Sequence, residues 1–154
     1  MDQALVAKVG TCGFGMAKAE YARAFSGVEI QTEENVSRMD KFFGAIERQD
    51  LDLCWEPRGA WDLELVRSIC SRLRLRHVVD PFVQETVTPD KFYVRLHGNT
   101  GWRYEYETGE LEELAARCTN SGDGLVFFNN YKMTADALKF CNVLNDRARS
   151  NPPV

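Results

Sequence analysis

The sequence predicts an α/β protein built on a parallel sheet, and three observations carry that expectation. Short apolar runs alternate with stretches whose apolar residues repeat at helical spacing, the pattern of successive βα units. Several of the apolar runs end in charged or hydrogen-bonding residues: Trp55-Glu56-Pro57-Arg58, Val79-Asp80-Pro81, Arg95-Leu96-His97-Gly98, residues 125–128 running into Asn129-Asn130, and Gly10-Thr11-Cys12-Gly13. In parallel α/β sheets ligands bind at that edge. The third observation is size: 154 residues with 44% hydrophobic content suffice for the core of a single domain.

Taken in order, residues 5–12 read as a first strand, 17–25 as a short helix and 28–31 as a very short second strand. Thr32 is placed to cap a helix reaching about residue 48, with Val36, Met39, Phe43 and Ile46 at helical spacing. Residues 51–56 form the third strand. Asp62 caps the next helix, whose apolar face is Leu65, Val66, Ile69 and Leu73. Residues 75–80 form the fourth strand. The connection 81–91 is too short for a crossover helix and reads as an irregular loop. Residues 92–97 form the fifth strand, 109–118 a helix, 125–129 the sixth strand, and 134–145 a last helix with Ala137, Leu138, Cys141 and Leu144 inward. Residues 1–149 are expected to be one domain and 150–154 a flexible tail.

The fifth strand separates its faces. Phe92, Val94 and Leu96 alternate with Tyr93, Arg95 and His97, so helices cover one face and the other looks into a lumen or cleft. Cys54 and Glu56 offer the same polar face on the third strand.

Net charge of −4 and a pI near 5.3 disfavour a globally basic nucleic-acid binder. No apolar stretch reaches the ~18 residues of a membrane span, and the N-terminus lacks the pattern of a signal peptide. The five cysteines are widely spaced without a CxxC pair, which points to reduced thiols in a cytoplasm. Cys70, Cys118 and Cys141 are expected as small core residues.

Six segments in order resemble the YecE-like family, domain of unknown function seventy-two: Gly10-Thr11-Cys12-Gly13-Phe14, Val28-Glu29-Ile30, Trp55-Glu56-Pro57-Arg58-Gly59, His77-Val78-Val79-Asp80-Pro81-Phe82, Arg95-Leu96-His97-Gly98 and Phe127-Phe128-Asn129-Asn130. The resemblance implies a TIM-barrel-related fold and no established reaction. It also marks a departure. Where the family carries two further βα units, Gln31 here runs directly into Thr32. About six units are therefore expected, in a parallel sheet shortened relative to a full eight-unit barrel of ~250 residues. An open sheet exposes edges, which makes a homo-oligomer a fair expectation.

The strand ends supply the candidate site. Glu56, His97 and Asp80 are the catalytic candidates: Glu56 as base, His97 as acid/base at neutral pH, Asp80 to orient His97. Arg58 and Arg95 are candidates for the anionic part of a substrate, Asn129 for hydrogen bonding, and Cys12 for a place in a glycine-rich turn beside it. His77, in mid-strand, reads as structural. Glu56, Asp80 and His97 lack any metal-ligand spacing, so no metal is assigned, and no cofactor is identified. Trp102, Tyr104 and Tyr106 alternate with charged residues. They form either an aromatic strip for a base or sugar or, more simply, an extended segment packed onto the sheet rim.

The expected activity is hydrolase- or isomerase-type chemistry on a small anionic or polar substrate. The competing expectations are a non-catalytic nucleic-acid or nucleotide binding module, and an inactive shortened form of the family.

Overall fold

The computed structural model describes residues 7–11, 31–119 and 123–150. They form β1 (Ala7–Thr11), α1 (Glu33–Ala45), β2 (Cys54–Trp55), α2 (Leu63–Leu73), β3 (Arg76–Val79), β4 (Lys91–Leu96), α3 (Thr108–Thr119), β5 (Asp123–Phe128) and α4 (Met133–Ser150). The five strands make one sheet in the order β1-β5-β4-β3-β2, and every pairing is parallel. The first strand thus lies beside the last, which is the pairing that closes a βα barrel. Among the described residues β1 and β2 stand at opposite edges. The strand expected at 28–31 falls on residues 28–30 outside the described set, as do the helix expected at 17–25 and Cys12.

Local chemistry accounts for the helix boundaries. Thr32 Oγ1 accepts the Asn35 N–H at 3.1 Å and Asp62 Oδ1 accepts the Leu65 N–H at 2.9 Å, so both expected N-caps are made. At the start of α3, Glu110 Oε2 accepts the Glu107 N–H at 2.9 Å, the return half of a capping box. α2 ends with Arg74 in the left-handed region (φ 47°), its N–H and that of Leu75 donating back to the last carbonyls. A left-handed arginine is unfavourable by about 1 kcal/mol. Arg48 helps hold it, donating to the Arg74 carbonyl at 2.9 Å and also to that of Leu73.

The core lies between the sheet and its helices. On β4, Phe92, Val94 and Leu96 are buried while Tyr93 and Arg95 are half-buried on the opposite face. Val126 and Phe128 of β5 continue the apolar layer under Leu111, Leu114 and Cys118 of α3 and Phe140 of α4. A second cluster joins Val66, Ile69, Cys70 and Leu73 of α2 to Leu75 and Val87, with Val36, Met39 and Phe43 of α1 packed against it. α1 itself buries no residue fully, and Phe42 is 64% exposed.

Some expectations need correction. The third strand shrinks from 51–56 to Cys54–Trp55, because among the described strands β2 pairs only with β3. The last helix is longer than 134–145, and Ser150 belongs to it: its Oγ donates to the Asp146 carbonyl at 2.9 Å, so the expected tail starts no earlier than 151. α4 is also rotated. Asp136 and Phe140 face the core, while Leu138 is 63% exposed and Cys141 only half-buried. The Asp136 carboxylate is tied to the neighbouring loop, as described below, and that tie overrides the apolar count.

His77 is structural, as expected. It is 1% exposed, its Nδ1 accepts the Val87 N–H at 3.1 Å, and burial drives its pKa down to about 4. Unfolded, it titrates near 6.5. Between these values the unfolded chain binds the extra proton, so stability is complete above about pH 6.5 and falls toward pH 4, by up to about 3 kcal/mol. Urea midpoints measured across this window should drop in the native chain, and His77→Gln should flatten that part of the profile. A second outcome concerns Gly124, over which the Phe92 ring packs so closely that a β-carbon would overlap it. Gly124→Ala should lower stability by roughly 1–3 kcal/mol in the same assay.

Candidate active site at the strand ends

Because all five strands are parallel, their C-terminal ends share one edge of the sheet. Four polar residues there occupy equivalent places. Glu56 is the first residue after β2, Asp80 after β3, His97 after β4 and Asn129 after β5. The register pairs Val78 with Tyr93 and Arg95 with Phe127, which carries the four side chains to the face opposite the helix-covered core. The strand alternation that buries Leu96 and Phe128 therefore projects His97 and Asn129 into the open.

There they form a connected chain. Asn129 Nδ2 lies 3.1 Å from His97 Nδ1, and His97 Nε2 lies 3.3 Å from Glu56 Oε1. With the amide donating, Nδ1 is the acceptor and the ring proton sits on Nε2, directed at the Glu56 carboxylate. The other carboxylate oxygen, Oε2, takes Arg95 in a close charge-assisted bond and Arg58 at 3.3 Å. Asp80 works through the backbone. Its Oδ2 accepts the His97 N–H at 3.0 Å and its Oδ1 the Phe82 N–H at 3.1 Å, so one side chain fixes both the start of the His97 loop and its own turn. Asp80 thus orients His97 by its main chain, with no hydrogen bond to the imidazole.

Burial raises the Glu56 pKa, but the His97 hydrogen bond and the Arg95 and Arg58 charges outweigh it and leave the carboxyl below its ordinary value. Glu56 is thus favoured as an anion, held by hydrogen bonds with His97 and Arg95 and by the charge of Arg58. Glu56, Arg58, Asp80, His97, Gly98 and Trp61 border a cleft of about 300 Å³. Among the described residues no group of three His, Cys, Asp or Glu side chains converges as metal ligands. No helix among them is long and apolar enough to cross a membrane.

Beside the cleft lies a network that sequence reasoning missed. Asp136 is fully buried, and its Oδ2 accepts the Asn130 amide at 2.6 Å and the Tyr106 N–H at 3.2 Å. The Asn130 amide also donates to the Tyr104 carbonyl at 2.7 Å, and the Tyr106 hydroxyl accepts the Gly98 N–H at 2.8 Å. Lys139 Nζ reaches Glu105 at 2.7 Å and Asp136 at 3.4 Å. The network pins the loop after His97 to the start of α4. Its one signal in the sequence is the i, i+4 pairing of Asp136 with the inward Phe140. The aromatic alternation at 102–106 divides accordingly. Tyr106 is fully buried and Tyr104 stacks edge-on against it, whereas Trp102 is 59% exposed.

No family model and no curated protein matches the sequence. Among solved structures, the chain is similar to the crystal structure of a DUF72 family protein from Enterococcus faecalis V583, with a TM-score of 0.62 and 21% identity over 79% of this chain. The fold is thus the α/β fold of that protein. The match spans 56% of the length of the neighbour's chain.

The Asn129 amide should hold the neutral imidazole as the Nε2–H tautomer, a form that long-range 15N–1H correlation spectra identify directly. Asn129→Leu should abolish that preference while shifting stability by no more than about 1 kcal/mol, the loss of one partly exposed hydrogen bond.

Proposed function

We propose that this chain is a YecE-like (DUF72) domain that performs proton-transfer chemistry, of hydrolase or isomerase type, on a small anionic or polar substrate bound at the strand ends. The observation that carries this reading is the hydrogen-bonded chain Asn129–His97–Glu56 at the mouth of one cleft, with Arg58 and Arg95 on the same carboxylate. A carboxylate held anionic by its neighbours and an imidazole of defined tautomer are the components of a base and an acid within reach of one ligand. Glu56 would take a proton from the substrate, His97 would supply or accept the second, and Asp80 would position His97 through its backbone. Arg58, half-exposed at the rim, would contact the substrate's polar or anionic part, while Arg95 holds Glu56 in place. Cys12, which follows β1 in the sequence, remains a substrate-binding candidate, and the location proposed for the domain is cytoplasmic. The family assignment rests on the six sequence segments together with the shared fold. The shorter length relative to the structural neighbour makes self-association part of the same reading.

The test is a turnover screen with small phosphate and carboxylic esters and aldose–ketose pairs. Any activity found should fall at least ~100-fold in Glu56→Gln and His97→Asn, the range for loss of a general acid or base. The urea midpoint of either variant should move little. Large stability losses with turnover retained would assign both residues to the fold and overturn the proposal.

A further inference from the structure

Two exposed aromatic side chains stand on the loops that follow His97 and Asn129. Trp102 is 59% and Tyr131 66% exposed, yet the two rings stand edge to face with centroids 5.6 Å apart. The Tyr131 N–H donates to the Trp102 carbonyl at 2.5 Å, so the loops after β4 and after β5 hold the pair in one geometry. The Arg103 guanidinium lies over the Trp102 ring, 5.2 Å from its centroid. Both aromatics are close in sequence to residues of the site. Tyr131 follows Asn129 by two residues, and the turn that presents Trp102 begins at Gly98, which borders the cleft.

Building on the proposed function, we propose that Trp102 and Tyr131 form the platform of a ring-binding subsite and that the substrate class is a neutral or weakly polar sugar ring. Two observations select that chemistry. The charged groups bordering the cleft are already engaged, Glu56 with Arg58, Arg95 and His97, and Asp80 with the His97 and Phe82 N–H groups. What the cleft presents to a ligand is therefore a set of directional donors and acceptors suited to hydroxyls. The platform is a corner, its rings inclined at 78°, rather than a parallel slot. A puckered ring rests its C–H face on one aromatic and its rim against the other, whereas a flat base gains from only one of them.

The test follows the Trp102 indole N–H resonance of the full chain during titration with methyl β-D-glucopyranoside, D-xylose and D-ribose, and in parallel with AMP and inorganic phosphate. At least one sugar should produce a saturable shift. Measured by isothermal titration calorimetry, which needs no indole probe, Trp102→Ala and Tyr131→Ala should weaken that binding by about tenfold or more, the loss of one stacked ring, and Trp102→Phe should restore most of it. No response to any of the sugars, or a response to AMP or phosphate alone, overturns the sugar assignment. Glu56→Gln separates this inference from the reading it rests on. Sugar binding that survives in Glu56→Gln while turnover is lost supports both. Glu56-dependent turnover on a ringless substrate, with no sugar response, removes the platform alone. Sugar binding with turnover indifferent to Glu56 removes the catalytic reading and leaves the platform standing.

Discussion

The period-two alternation of β4 governs both halves of this structure. Phe92, Val94 and Leu96 lie under α3 and α4, in one apolar cluster with Leu111, Leu114 and Phe140. Once they do, Tyr93, Arg95 and His97 have no choice of face. β5 repeats the constraint, burying Val126 and Phe128 and freeing Asn129. Parallel pairing then brings the freed groups to one edge. The site is a geometric consequence of where the core lies.

The charges at that edge are organised around Glu56. It follows the shortest strand, at an edge of the sheet, and its carboxylate spans to Arg95 and His97 beyond β3. A half-buried carboxylate alone would gain a proton or seek water. Here the His97 hydrogen bond and the Arg95 and Arg58 guanidiniums outweigh its burial and favour the ionised form. The arrangement holds a proton acceptor in place at the edge of the sheet, beside the imidazole it would work with.

A second polar cluster, around buried Asp136, fixes what stands above the site. It joins the loop after His97 to α4, turns Tyr104 and Tyr106 inward, and leaves Trp102 facing solvent beside Tyr131. Removing one partner from such a cluster leaves a buried charge uncompensated, which explains why α4 turns Asp136 rather than Leu138 toward the sheet.

Much of this was legible in the chain. Periodicity located the helices, the caps at Thr32 and Asp62 followed from side-chain chemistry, and the strand-end positions of Glu56, Asp80, His97 and Asn129 followed from alternation ending at charged residues. These are local properties, fixed by spacing along the backbone. The family resemblance added the expectation of a barrel relationship and of two fewer βα units between Gln31 and Thr32. The tertiary structure alone placed β1 beside β5, engaged Arg95 with Glu56, directed Asp80 to the His97 backbone rather than its ring, and rotated α4 about Asp136. Each of these depends on contacts between residues far apart in sequence. Which partner a charge finds, and which polar group is buried, is decided by how the layers dock, and that information is not carried by any single stretch of the chain.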